Sequence, residues 1–300
     1  MRRRFLLIPH LQIHNANAMS SPYTIGFPAL TAWLGAVHAL QRYLQQQQLT
    51  DIELSSVGIS CHRFDLQTYK GPGDFVYSIV GTANPLDKDG SRPAFVEEAR
   101  CHLEVSLLIE LQGLDNDDRE RFETLVNQRL RCMKWASGDV LDVKPVEIHA
   151  ADEDDELSVK KLLNRLMLGY VLIERRELIM QAIREEGQDA LDALLGYLKV
   201  MHRSSQDESS KVTWSSQRKA PGWLVPIAVG FQSISGLGRA ANQRDSQTPH
   251  RFAESVVTLG EFKMPYRIEN LDDVLWQYHA DTEQNLYLCR TLTSSNLIGD

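Results

Sequence analysis

Two consecutive stretches decide the fold. They are Phe5-Leu-Leu-Ile-Pro-His-Leu-Gln-Ile-His14 and Asn15-Ala-Asn-Ala-Met-Ser-Ser-Pro-Tyr-Thr-Ile-Gly-Phe-Pro28. The first alternates, with Leu7, Leu11 and Ile13 on one side and His10, Gln12 and His14 on the other, which predicts a strand with one wet face. The second has no helical period and is dense in turn formers, which predicts a long loop. A helix follows over residues 29–45, with Trp33, Val37, Leu40 and Leu44 as its apolar stripe.

Outward from there, strands are expected at 52–64, with a slip of alternation at Ser55-Ser56, and at 75–81. A long strand at 95–111 alternates Leu103, Val105, Leu107 and Ile109 with Arg100, His102, Glu104 and Ser106. A helix is predicted over 116–134, a strand over 140–149, and helical segments over 157–168 and 175–201. A polar, Ser-rich linker (203–217) leads to a strand (223–231), a basic loop (236–249) and a short helix. A strand (261–268), a helix (271–279) and a strand (286–290) close the chain. Strand, helix, strands, helix, strand is an α+β order. It predicts a ferredoxin-like, RRM-type antiparallel sheet split by a helical insertion. The core is expected in residues 1–150 and 216–300, and the insertion with its linker in 151–215. Such a sheet has helices on one face and leaves the other free for single-stranded RNA.

The 300 residues are 43% hydrophobic and 24% charged, a globular composition with a net charge of -8. Four scattered cysteines read as free thiols, and no stretch approaches the ~20 apolar residues of a membrane span. A cytoplasmic protein with no membrane partner is expected. The net charge conceals a division. Residues 1–50 hold Arg2, Arg3, Arg4 and Arg42 and no acid, and residues 203–251 hold seven basic residues against three acidic ones. A polyanion responds to the local field rather than to the total.

Chemical motifs are few. Gly236-Leu-Gly-Arg-Ala-Ala241 matches a dinucleotide string without the helix and acid such a site needs, and no Walker-type or nucleophile-elbow sequence occurs. Cys61-His62 and Cys101-His102 lie in predicted strands, where neighbours point to opposite faces, so neither pair can serve one ion. No metal and no cofactor are expected. His10, His14, His38, His62 and His102 leave open a metal-independent ribonuclease, although nothing in their spacing selects a pair. Asn15, Asn17, Ser20 and Ser21 admit two readings: a grip on phosphates and bases, or satisfaction of the loop's own backbone.

The blocks Leu11-Gln-Ile-His-Asn-Ala-Asn-Ala-Met-Ser-Ser-Pro22, Val57-Gly-Ile-Ser-Cys-His-Arg-Phe64, Asn84-Pro-Leu-Asp-Lys-Asp-Gly-Ser91 and Pro221-Gly-Trp-Leu-Val-Pro-Ile227 closely resemble the second Csy subunit of type I-F CRISPR surveillance complexes. This is the Cas-five-type family. Leu259-Gly-Glu-Phe262 and Leu275-Trp-Gln-Tyr-His279 extend the resemblance, and residues 112–220 carry it least.

The resemblance implies a non-catalytic RNA-binding subunit. It would pair with the large Csy subunit to form the tail, hold the 5′ handle of the crRNA, and abut the first of the repeated backbone Csy subunits. It would also add backbone contacts to the target DNA duplex. A separate subunit cuts precursor crRNA in that system. Motif and charge nominate Asn15, Asn17, Ser20, Ser21, Arg42, His62, Arg63, Arg100 and His102 for RNA. They nominate Arg218, Lys219, Arg239 and Arg244 for a second nucleic-acid contact. Trp223 and Trp276 read as core anchors. The competing readings are the metal-independent endoribonuclease and a purely protein-binding scaffold.

Overall fold

The computed structural model describes residues 2–80, 85–92, 98–206, 211–243, 245 and 247–293. In chain order the first half runs β1 (Arg2–Asn17), β2 (Met19–Ser21), β3 (Thr24–Ile25), α1 (Leu30–Gln46), β4 (Glu53–Leu66), β5 (Thr68–Tyr69), β6 (Ser78–Ile79), β7 (Arg100–Gln112), α2 (Arg119–Leu130), β8 (Lys134–Trp135), β9 (Gly138–Asp142) and β10 (Glu147–Asp152). The second half runs α3 (Glu156–Asn164), β11 (Tyr170–Glu174), α4 (Arg176–Glu186), α5 (Ala190–Leu198), β12 (Val200–Gln206), β13 (Val212–Arg218), β14 (Trp223–Ser233), β15 (Ala253–Lys263), β16 (Trp276–Asp281) and β17 (Leu286–Thr291). This is the expected α+β class, with one large antiparallel sheet and five helices among the described residues.

The sheet centres on β1. It pairs antiparallel with β7 along one edge and with β9 and β10 along the other, and β7 pairs in turn with β4. Helix α1 buries Leu30, Trp33, Leu34, Val37, Leu40 and Leu44 against one face of the sheet, beside Phe122, Val126 and Leu130 of α2. The far edge of β4 is shared. Val57 pairs with Trp276 of β16, and Ser60 and Cys61 pair with Val171 and Tyr170 of β11. Strands β4, β16, β17, β14, β15 and β11 therefore close into a ring. Trp276, fully buried, donates its indole N–H to the Leu172 carbonyl across that ring (2.9 Å). The opposite face is covered over half its length, where Phe5, Leu7 and Leu108 meet α3 and residues 268–275.

The cysteines are all unpaired. Burial pushes the thiols of Cys61, Cys101 and Cys289 up to about 12. Among the described residues no helix is long and apolar enough to cross a membrane.

Several segments differ from expectation for identifiable reasons. Residues 15–28 are not an open loop, because β1 runs on to Asn17 and β2 and β3 form a hairpin. The described residues of 203–217 are not a linker but belong to the β12–β13 hairpin, whose register pairs Val200 with Arg218. Nearly every residue of that hairpin is exposed, so neither face imposes alternation. The short helix expected before residue 261 is β15, and 271–279 is a single turn (Leu271–Asp273) followed by β16. Aromatic and β-branched residues there fit a pleated surface better than a helix. The strand expected at 75–81 shrinks to Ser78–Ile79, and residues 95–97 of the long strand lie outside the described residues. Strand β11 occupies the gap between two segments read as helical.

Three distant parts of the chain meet at Arg3. Its guanidinium donates to both oxygens of Glu110 (2.8 and 2.9 Å), to Asp272 (2.7 Å) and to Glu153. Ser55 and Ser56 add hydroxyl donors to Glu110 (3.2 and 3.1 Å). Burial works against the Glu110 charge, but Arg3 and the hydroxyls outweigh it and hold the carboxyl below its ordinary value. Removing Arg3 leaves that carboxylate buried and unpaired. Arg3→Ala is therefore expected to cost about 3 kcal/mol in urea unfolding at pH 7. A depressed carboxyl stabilises the fold above its unfolded value and loses that contribution as pH falls through its folded value. The gap between wild type and Arg3→Ala should therefore narrow on acidification below the ordinary glutamate range.

Candidate nucleic-acid interface

The residues that β1 turns toward the helices are Leu6, Ile8, Leu11, Ile13, Ala16 and Ala18, the last just past its end, at intervals of 2, 3, 2, 3 and 2 residues. Each interval of three is a bulge: the register with β7 shifts between Ile8 and Leu11 and again between Ile13 and Ala16. Within these bulges His10 (φ 51°) and Asn15 (φ 55°) adopt the left-handed conformation, which Asn and His tolerate better than most residues. The shift of parity also corrects the reading of Leu7. It faces α3, opposite Leu11 and Ile13.

The bulges give the uncovered half of the second face its character. His10 stacks on His62 of β4 (centroids 4.5 Å apart), and His14 stacks on His102 of β7 (4.2 Å). Glu104 Oε1 lies 2.6 Å from His10 Nδ1. Ser106 Oγ accepts the His10 backbone N–H (3.1 Å) and lies 2.7 Å from His62 Nε2. Burial first, and the neighbouring His10 second, lower the proton affinity of His62 and favour the neutral ring. Ser60 Oγ donates to the Leu166 carbonyl (2.9 Å), and Gly169 lies so close that a Cβ there would sit 2.2 Å from Ser60 Oγ and 2.9 Å from His62 Nδ1. Segment 166–169 thus closes the inner end of the row.

At the open end, the Asn15 backbone N–H donates to His102 Nδ1 (3.3 Å) and Asn15 Oδ1 accepts from Gln67 Nε2 (2.6 Å). Gln67 Nε2 is 3.2 Å from His102 Nε2. Arg100 reaches the Asn15 carbonyl (3.5 Å) and pairs with Glu98 (2.6 Å). This cluster is a half-exposed assembly of donors, acceptors and flat rings at the rim of a sheet. It is suited to base edges, base stacking and phosphate oxygens.

The structure brings together Asn15, His62, Arg100 and His102 of the residues nominated for RNA. Arg63 extends from the same strand as His62, exposed, with Asp65 3.9 Å away. Asn17 closes the turn into β2 through its own amide, contacting the Met19 N–H and carbonyl (both 3.1 Å). The hydroxyls of Ser20 and Ser21 lie 2.9 and 2.7 Å from Thr24 Oγ1, inside the hairpin. Arg42 lies on the solvent side of α1, across the sheet from the histidine row.

Of the second group, Arg218 ends β13, fully outward. Lys219 is held by Glu186 (2.7 Å) and sits over the Tyr197 ring. Arg239 is exposed in the loop after β14, and Arg244 lies outside the described residues. Trp276 is the core anchor expected, but Trp223 is 53% exposed and packs edge-on against Tyr170. Gln67, Glu104 and Ser106 were missed as site residues. Glu104 and Ser106 share the alternating polar set with Arg100 and His102, and that alternation was the available signal.

The chain also resembles known proteins. The family described as CRISPR-associated protein (Cas_Csy2) matches residues 6–289. This chain belongs to the Csy2 family. A relative described as CRISPR-associated protein Csy2, from Pseudomonas aeruginosa (strain UCBPP-PA14), is 39% identical over 308 residues, covering 94% of this chain and 93% of the relative. The resemblance to the second Csy subunit drawn from the sequence blocks is thereby borne out. The Csy2 match takes in both bulges of β1, the histidine row and the ring of strands.

A neutral His62 makes a prediction. Its folded-state value lies below the ordinary 6.5, so the unfolded chain binds more protons there and stability should fall as pH drops below about 6.5. Histidine resonances followed by NMR should show His62 titrating below the ordinary 6.5, and His62→Gln should flatten the loss of stability between pH 6.5 and 5.

Proposed function

We propose that this chain is a non-catalytic RNA-binding subunit of a type I-F CRISPR surveillance complex, gripping the 5′ handle of the crRNA at the rim of the histidine-bearing face. The single observation that carries the reading is the pair of bulges that turns His10, His14 and Asn15 onto a half-open sheet face beside Gln67, Arg100 and His102. The topology supports it. Strand β1, helix α1, strands β4 and β7, helix α2 and strand β9 occur in that chain order, and the strands lie in the spatial order β4-β7-β1-β9 with both helices on one face. We read that order as a ferredoxin-like, RRM-type arrangement, a class whose free face takes single-stranded RNA. His10 and His62 are already engaged with Glu104 and Ser106, which favours positioning over proton transfer.

Two exposed arms support the protein partners of this reading. The β12–β13 hairpin carries Trp214 at 73% exposure, and the β5–β6 loop carries Phe75 at 97%. A two-stranded hairpin standing free in water is marginal and gains from a partner. The large Csy subunit and the first backbone subunit are the partners proposed. Arg218 and Arg239, both exposed, are proposed for the target DNA duplex, and the cytoplasm is the proposed location.

The test is retention of a labelled crRNA by the chain co-purified with the large subunit. Asn15→Gly keeps the left-handed backbone and removes the amide, and Arg100→Ala removes the cation. Each is expected to weaken binding of the true handle about tenfold or less, and both together to abolish the preference over a scrambled handle. Equal binding of both RNAs by the wild type, or cutting of handle-containing RNA in EDTA, would sink the reading.

A further inference from the structure

The Arg2-Arg3-Arg4 run is divided by strand alternation. Arg3 turns inward to Glu110, while Arg2 and Arg4 point to the other face of β1, on the side of the two packing helices. There they line a cavity of about 250 Å³ together with Arg119 at the start of α2, His149 of β10, and the loop residues Asp115 and Asn116. Arg4 has no ion pair among the described residues. Arg2 stands opposite Asp152 across the strand pair. Arg119 donates to Glu123 (2.9 Å) and keeps its remaining donors, while the His149 ring lies on the other face with its register partner Phe5, 2.7 Å from Glu147. Three guanidinium groups therefore converge on one small cavity whose lining holds a single carboxylate, Asp115. Three arginines against one lining carboxylate leave an excess of positive charge even with Glu123 and Asp152 nearby, and an oxyanion relieves it while matching the planar forks of donors.

We propose that Arg2, Arg4 and Arg119 form an oxyanion site that takes a phosphate of a nucleic-acid backbone. The nucleic-acid source rests on the function proposed above, whereas the phosphate chemistry stands on the cavity alone. This site is distinct from the histidine row. It lies on the opposite face of the sheet, and Arg4 is roughly 20 Å from His10 along the strand at ~3.3 Å per residue. Arg2 and Arg4 also precede residue 6, where the family match begins. A strand held at the histidine row and wrapped over the end of the sheet would meet a second anchor here. Two weak contacts on one strand raise its retention without new base contacts.

The experiment uses the full chain, the double variant Arg2→Ala/Arg4→Ala, and Arg119→Ala on a separate element, with thermal melts to establish that each is folded. Calorimetric titration with pyrophosphate reads the anion chemistry. Anisotropy with a single-stranded RNA over a salt series reads the backbone contact. Both variants are expected to weaken pyrophosphate at least tenfold, and the double variant to lower the salt slope of RNA binding by about 0.7, the value of one phosphate contact on a single strand.

Unchanged pyrophosphate binding and slope overturn the proposal. Weaker pyrophosphate with an unchanged slope overturns the backbone as its source and assigns a free phosphate. Displacement of pyrophosphate by polyglutamate but not by RNA overturns it in favour of an acidic protein segment. RNA binding absent from the wild type, with pyrophosphate bound through these arginines, sinks the handle reading and leaves the anion site standing.

Discussion

A central strand bonded along both edges has no freedom to slip. Strand β1 is tied to β7 on one side and to β9 and β10 on the other, so any residue beyond the two-residue repeat must appear as a bulge. The inward side chains Leu6, Ile8, Leu11, Ile13 and Ala16 are fixed by the core beneath α1. The extra residues His10 and Asn15 are consequently expelled toward the other face in a left-handed conformation. Core packing and the presentation of the candidate site are thus one constraint. A strand with perfect alternation could fill the same core, but it would lack the extra residues that face Glu104 and Gln67.

That constraint also explains which parts of the molecule were legible in the sequence. The apolar stripe of α1 carries burial directly in its spacing, and the strands at 223–231 and 286–290 were placed where β14 and β17 run. The bulges were legible in principle, because the intervals of 2, 3, 2, 3 and 2 are present in the first eighteen residues. Reading a single unbroken period placed Leu7 on the wrong side. The β12–β13 hairpin left no trace, since a strand pair exposed on both faces has no reason to alternate. Ring closure through β11 was invisible for a different reason. The five residues of β11 pair with Ser60-Cys61 and with Gly260–Lys263, roughly a hundred positions away on either side, and local periodicity has no term for such partners.

The site was half legible. Motif and charge nominated Asn15, His62, Arg100 and His102, which the fold gathers at one rim, and on β7 the polar alternation marks that face. Turn-forming residues located Asn17, Ser20 and Ser21 equally well, yet the structure places those groups in hydrogen bonds of their own hairpin. Asn and Ser serve backbone satisfaction and ligand contact with the same atoms. Sequence alone offers nothing to separate the two uses. The backbone conformation does, since Asn15 sits in a bulge and Asn17 in a cap.

The distribution of charge now has a structural form. A chain with a net charge of -8 is a poor polyanion binder taken as a whole, but its cations are sorted by the sheet. Arg3, Arg100, Arg175 and Lys219 are held by carboxylates and serve the fold. Arg2, Arg4, Arg63, Arg218 and Arg239 lie at edges and arms, where a partner or a phosphate can reach them. A molecule that pairs some of its cations internally and leaves other arginines at its rims can present a local positive field within a negative total. The bare hairpin and the aromatic loop tip extend the same logic to apolar surface. Each exposes area that water disfavours and that a neighbouring subunit would cover. A fold organised this way is better suited to one position in a larger particle than to acting alone.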